Sequence, residues 1–381
     1  MNDVQVDADR RPEQPLANLR VIEIGHSVAA PFCGQILADL GAEVVKVENP
    51  NGGDDARHWG PPFVNDTAAT FHSLNRNKSS RVINLKDEHE KAELIELIGQ
   101  SDVVVQNMRP GLMERYGLGA DELCARFQRL IFCNLGAFGE IGPLNAHTGY
   151  DPLVQAFSGI MSVTGEPGRP PVRVGPSIID QGSGMWCVIG ILSALLERSR
   201  TGRGCRIDTS LFETGLSWMT VPVANALASG REPGKSGSET PMLAPYRAFE
   251  ASDRPVVIAA GNNNLFRRLT ETLGHPEWAE DPRFLTNAER VANREELNAL
   301  IEAVVRTRPS DHWMTALDKV GVPCAPVHQV SEVLAHPQTD ALGICLPSGD
   351  PKIGLVATPL RFNGRRPPLR SLAPGLGQAA S

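Results

Sequence analysis

The chain has 381 residues, 41% of them hydrophobic and 21% charged, with a formal net charge of -7. That length supports a large core and two domains, since single cores stop growing at roughly 250 to 300 residues. The acidic balance argues against bulk nucleic-acid binding, and seven scattered cysteines without a C-x-x-C pair read as reduced thiols of a cytoplasmic protein.

Residues 1–15 are polar and acidic, with neither the apolar core of a secretory signal nor the acid-poor look of a transit peptide, and read as a disordered tail. Val21-Ile22-Glu23-Ile24 is then a short β-rich run ending in Gly25, and Phe32, Ile36, Leu37 and Leu40 follow at helical spacing. Val44 to Glu48 is the next strand, Arg81 to Leu85 another, and Lys86 to Gly99 a helix with Leu94, Ile95, Leu97 and Ile98 on its buried side. Asp102 to Val105 and Leu130 to Cys133 continue the alternation, which implies a parallel sheet covered on both faces. From Asp151 to about Arg198 the pattern gives two helices, and Met185 to Leu196, the longest apolar stretch, is too short for a bilayer and reads as buried; no membrane span is expected. Arg206 to Leu211 is a strand. Gly, Ser, Lys and Glu dominate from Leu227 to Pro241, marking a flexible connection to a second domain with the strand Pro255 to Ala259 and amphipathic helices up to Lys319. The resulting organisation is a tail at 1–15, a large domain at 16–225, a small α/β domain at 226–325 and a return segment at 326–381 that packs on the large domain.

Several clusters could carry chemistry. Gly25-His26-Ser27-Val28-Ala29-Ala30 followed by Glu48 resembles a dinucleotide-binding start, but Ser27 and Ala30 stand where two glycines would be needed. The helix start there is left for another anion or an adenine-bearing ligand. Asn75-Arg76-Asn77-Lys78 and Asn107-Met108-Arg109 form polar, basic loops near one sheet, where phosphates would need them, although each cation alone, Arg57 and Arg115 included, reads as a solvated surface charge. His26 is a general base, a ligand contact or a structural histidine. Asp151, between Gly149-Tyr150 and Pro152, reads on local sequence first as a helix N-cap, with a carboxylate nucleophile kept ionised by the helix start as the alternative. Asp180 precedes an apolar helix and reads first as its cap, with a second catalytic acid as the alternative. No G-x-S-x-G, Walker loop or metal-spaced His and Cys cluster appears, so no metal is expected.

In order, PLANLRVIEIGHSVAAPFCGQILADLGAEVVKVE, NRNKSSRVINLKD, SDVVVQNMRPG, GYDPLVQAFSGIMSVTG and SALLERSRTGRG resemble the class III CoA-transferases (the CaiB/BaiF type) from about Pro15 to Gln329. The resemblance implies a Rossmann-like large domain plus a smaller α/β domain, in ring-shaped chains interlocked as a homodimer. It implies coenzyme A and acyl-CoA as substrates and Asp151 as the nucleophile of the G-Y-D motif, forming an aspartyl anhydride and an aspartyl-CoA thioester. CoA contacts then fall to His26, Val28, Ala29, Lys78, Asn107, Met108, Arg115 and Tyr116, with Arg57, Tyr150 and Asp180 at the substrate and Gly234 to Thr240 as a lid. The similar α-methylacyl-CoA racemases carry a His where Tyr150 stands, which favours acyl transfer over racemisation. A nicotinamide-binding protein is the third reading. The formyl-CoA:oxalate branch has a Gln at Val28 and a tetraglycine lid, both absent here, which argues against oxalate. Trp59-Gly60-Pro61-Pro62-Phe63 and Ala260-Gly261-Asn262-Asn263-Asn264 look more like the succinate-hydroxymethylglutarate branch, pointing to succinyl-CoA and a small dicarboxylic acid.

Overall fold

The sheet forms because six short, β-rich runs alternate with helices. The computed structural model describes residues 13–379, so the tail expected at 1–15 falls, through residue 12, outside the described residues. The strands are β1 (Arg20–Ile24), β2 (Glu43–Glu48), β3 (Lys78–Val82), β4 (Val103–Gln106), β5 (Ile131–Gly136) and β6 (Arg206–Ser210). They lie in the order β3-β2-β1-β4-β5-β6, every pair parallel. The order reverses direction between β1 and β4, and in such sheets ligands bind outside the carboxyl ends of the strands at that point.

Side chains alternate across the sheet. Ile22, Ile24, Val45, Val47, Val104 and Phe132 share a core with Leu94 and Ile98 of α2 (Glu88–Gly99). The opposite face receives α1 (Ala29–Asp39), which packs on β1, β2 and a long helix from the second half of the chain. Glu23, on that face, is completely buried, and Gly34 of α1 admits it: a Cβ there would lie 1.9 Å from Glu23 Oε2.

The expected strand Arg81 to Leu85 is displaced to Lys78–Val82. The apolar residues Val82, Ile83 and Leu85 drew the sequence reading too far along, whereas the strand buries polar side chains, Lys78 and Ser80, that find charged partners inside. Between Asp151 and Arg198 there are three helices rather than two: α3 (Asp151–Phe157), a turn at Ile160–Val163, and α4, which runs from Ile178 to Thr201. At 24 residues α4 is long and apolar enough to cross a membrane by length and composition. It is nevertheless packed along one side: a Cβ on Gly184 would meet Ala29 O of α1 at 2.8 Å, and one on Gly182 would meet Trp218 at the same distance. Its other side is not the buried surface expected, for Met185, Trp186, Ile189, Leu192 and Leu196 form an exposed apolar stripe. After β6 follow α5 (Leu211–Trp218) and a helix at Thr220–Ser229.

The chain divides into two compact units. The first comprises 1–160, 173–231 and 337–381; the second comprises 161–172 and 232–336, so 161–172 clusters apart from the range read as the large domain, and 326–336 apart from the rest of the return segment. Within the first unit the return segment lies against β3 and its approaches, with Ser80 N donating to Gln378 O and Asn77 Oδ1 accepting from the amides of Arg370 and Ser371. The second unit holds a three-stranded antiparallel sheet, Tyr246–Glu250, Pro255–Ala259 and Cys324–Pro326, covered by helices around Phe249, Phe266, Phe284, Ile301 and Trp313. The segment read as a lid is tied down inside that unit by Gly237 N to Gly165 O and by Lys235 to Arg169 O.

Candidate active site

Asp151 is the first residue of α3 and only 2% exposed. It does not cap its own helix. Tyr150, extended at φ -128°, holds the N-cap position without a side-chain bond, and Pro152 follows where a missing N–H costs nothing. The Asp151 carboxylate reaches instead to the start of α4, where Oδ2 accepts from Ile179 N at 2.8 Å and Asp180 N at 3.2 Å. These are among the free amides that begin any helix, and a carboxylate is stabilised there. Oδ1 accepts from Gln155 Nε2 at 2.6 Å. Gly149 serves close packing rather than a turn, since a Cβ there would press on Ala137 and Val154 at 3.2 Å.

A cavity of 160 Å³ reaches the residues around Asp151, being lined by Gly149, Tyr150 and Asp180 together with His26, Ser27, Arg109 and His147, among others, but Asp151 itself is not part of its wall. Asp180 is the α4 residue facing it; its side chain does not cap the helix, as the first reading had it, and has no hydrogen bond among the described residues. Burial, followed by the charge of Asp151, raises its pKa from 3.8 to about 7. Such a group binds its proton more tightly folded than unfolded, so stability is greatest below pH 4 on this account and declines as the pH climbs toward 7. Asp180→Asn is therefore expected to match the parent in urea unfolding at acid pH and exceed it by up to about 4 kcal/mol at pH 8. An unchanged gap across that range would contradict the assignment.

The loop between β1 and α1 is held from beneath. Ser27 adopts φ +71°, unusual for a residue with a side chain, and its N–H donates to Asp54 Oδ1 at 2.9 Å. His26 N donates to Asn107 Oδ1, while Asn107 Nδ2 returns a bond to His26 O, both at 3.0 Å. Lys46 Nζ binds Gly25 O, Glu23 and Asp54, each at 2.8 Å, and Lys78 Nζ binds Glu23, Pro31 O and Asn75 at the same distance. All four ionic side chains are buried. Burial pulls the Lys46 pKa down, but Glu23 and Asp54 more than reverse that; burial and the nearby Lys46 charge leave Lys78 at about 8. The loop amides of His26 and Ser27 are thus already satisfied, which removes them from the anion site expected at this helix start.

A second cavity, of 580 Å³, lies beyond the carboxyl ends of β1 and β2 and is lined by His26, Glu48, Asn84, Lys86, Met108 and Tyr116, among others. His26 and Met108 line both cavities and stand between them. Of the residues expected at CoA, His26, Ala29, Asn107, Met108 and Tyr116 line one or both. Arg115 is exposed next to Tyr116, and Val28 is buried behind the wall. Lys78 is corrected: its ammonium has its partners in the interior and faces neither cavity. Arg57 is corrected likewise, since Glu48 binds it through two nitrogens at 2.7 and 2.8 Å, it lies 3.8 Å over the Phe71 ring, and it donates to Pro374 O. Tyr150 stands half-exposed at the rim. The sequence reading missed Gln155 and Asp54. Gln155 could have been found from its place four residues after Asp151 on one helix, which puts both on one face; Asp54 gave no such signal.

Comparison with known proteins now adds to this geometry. The description "CoA-transferase family III" matches residues 16–380. The chain is 40% identical to acetyl-CoA:oxalate CoA-transferase of Acetobacter aceti, over 93% of this chain and 90% of that protein. It is 37% identical to succinate–glutarate CoA-transferase of Agrobacterium fabrum, over 95% and 94%. A CaiB/BaiF family protein from Brucella suis superposes with a TM-score of 0.86 at 40% identity, covering 96% of this chain and 97% of that one.

Proposed function

The chain belongs to CoA-transferase family III, and we propose that it moves CoA from an acyl-CoA, succinyl-CoA being the favoured donor, to a small dicarboxylic acid, with Asp151 as nucleophile. The observation that carries this reading is the buried Asp151 carboxylate, oriented by three N–H donors beside a cavity. The larger cavity takes the nucleotide end of CoA, and the smaller takes the thioester. Asp151 Oδ1 attacks the thioester carbonyl, the C–S bond breaks and CoA leaves as a thiolate, giving an acyl-aspartyl anhydride. The thiolate then attacks the aspartyl carbonyl, the bond from that carbon to Oδ1 breaks, and the donor acid leaves as a carboxylate carrying Oδ1. In that step negative charge develops on Oδ2, where the Ile179 and Asp180 amides already point, so the same donors that hold the resting carboxylate stabilise the tetrahedral oxyanion. The acceptor carboxylate attacks the resulting aspartyl-CoA thioester, expels the thiolate and leaves one of its own oxygens at the Oδ1 position; the thiolate then attacks the acceptor's acyl carbon and frees Asp151 as a carboxylate. No proton is gained or lost overall. The burial of Asp151 keeps water from the anhydride.

The two relatives named above act on oxalate and on glutarate, both dicarboxylic acids. Oxalate therefore returns as a candidate acceptor, because the missing Gln and tetraglycine bear on the formyl-CoA branch alone. Tyr150 in place of a histidine weighs against the racemase alternative, since a phenol is a poor proton carrier near neutral pH. The stripe on α4, with exposed Trp218 and Val221 nearby in sequence, is where a second copy of the chain seats in a homodimer; patches of this kind mark interaction surfaces. Seven unpaired cysteines fit a cytoplasmic setting.

Incubation with succinyl-CoA followed by hydroxylamine is expected to convert Asp151 to its hydroxamate, visible as a mass change on the peptide that contains it. An unmodified peptide from an enzyme that still turns over would end this mechanism. Oxalate, glutarate and longer diacids, offered in parallel and read as new acyl-CoA masses, rank the acceptors.

A further inference from the structure

We infer that Gln155 is a positioning residue for the nucleophile: it aligns Asp151 Oδ1 for attack and binds the oxygen at that position again when Asp151 leaves as a carboxylate. This rests on the role proposed for Asp151. Gln155 is fully buried, and both ends of its amide are used. Nε2 donates to Asp151 Oδ1 at 2.6 Å, and Oε1 accepts from Val174 N at 2.8 Å. The second bond fixes the sense of the first. A flipped amide would set its carbonyl against the carboxylate and its NH2 against an N–H, two repulsions at a fully buried side chain. Val174 is also the second residue of its segment after the chain returns from the other compact unit.

The chemistry follows from which oxygen each donor holds. Oδ2 has the two helix amides, leaving Oδ1 as the oxygen that bonds to the acyl carbon. The Gln155 N–H lies in place on Oδ1 and fixes the orientation of its remaining electrons. In the anhydride Oδ1 becomes a bridging oxygen and a weaker acceptor. When thiolate expels Asp151 from the acceptor's acyl group, charge gathers on the oxygen that the acceptor has left at the Oδ1 position, and it meets the same N–H. The titratable and charged groups lining the neighbouring cavity are Asp180 at the start of α4, His26, Arg109, His147 and Tyr150, while Arg173 is engaged on the carbonyls of Val174 and Gly175. The charge of Asp151 acts on Asp180.

Two substitutions of similar size test this. Gln155→Met removes the donor, and kcat is expected to fall about 10- to 100-fold with KM for acyl-CoA little changed. Gln155→Glu sets a second carboxyl against Oδ1 in place of the donor, and kcat should fall at least as far, again with KM little changed. Counting kcat per site that hydroxylamine traps keeps poor folding from imitating the loss. A kcat per trapped site equal to the parent's in both variants would overturn the role of Gln155 and leave the nucleophile standing. Absence of trapping in the parent enzyme would instead overturn the nucleophile.

Discussion

Asp151→Asn is expected to lose CoA transfer by at least about 10³-fold, because an amide neither attacks the thioester nor leaves as a carboxylate. Its thermal midpoint should fall less than that of an Ala variant, since the Asn side-chain oxygen can still accept from Ile179 N and Asp180 N although its NH2 then faces Gln155 Nε2. Asp151→Ala should be equally inactive and also less stable, by about 1–3 kcal/mol, as it strands two amides at the buried start of α4. The two variants thus separate the roles that the sequence could not tell apart: activity responds to the charge and stability to the acceptor. Assays of acyl exchange with labelled succinate and urea unfolding, run side by side, read them independently. An active Asn variant would refute the nucleophile, and an Ala variant as stable as the Asn variant would refute the cap.

Lys46→Met should be the most damaging change away from the nucleophile. Lys46 is wholly buried between Glu23 and Asp54, and its loss leaves Asp54 without its cation and Glu23 with Lys78 alone, at a cost of about 3–5 kcal/mol, a large share of the stability of an ordinary domain. Because Lys46 also holds Gly25 O, and Asp54 holds the strained Ser27, the loop beside both cavities should loosen with it. The expected result is a lower urea midpoint and, in the folded fraction, a raised KM for acyl-CoA. Adding Asp54→Asn to Lys46→Met should recover part of the stability by removing the stranded charge. No recovery would mean that packing, not charge, dominates there.

The strands β1 and β2 and the helix between them were legible because apolar residues with the right periods end at Gly25 and Gly41. The alternation of strands and helices was enough to expect a parallel sheet. Its polar strand was not legible. Lys78 and Ser80 look like a loop until Glu23 and Glu48, brought by neighbouring strands, make their burial possible. Arg57 was read as a cation for substrate for the same reason, because its partner Glu48 belongs to another element and the two meet only in the fold. Asp151 was legible as a residue but not as a geometry: the local sequence assigned it to the helix it begins, whereas its carboxylate belongs to the start of a helix 27 residues further on. No rule of local spacing reports a contact of that kind. Gln155 was within reach of such a rule.

The glycines of α4 carry a consequence for anyone who wishes to redesign the chemistry. Gly182 and Gly184 let the helix settle so closely on Trp218 and on the backbone of α1 that it has a single rotational setting, and its first amides are aimed by that setting. The aim of the carboxylate at its substrate is therefore written partly at positions that have no side chain and touch no substrate. Enlarging the acyl cavity by exchanging wall residues leaves this aim intact; turning the rod by even a fraction of a residue would carry the oxyanion donors away from the carbon they serve.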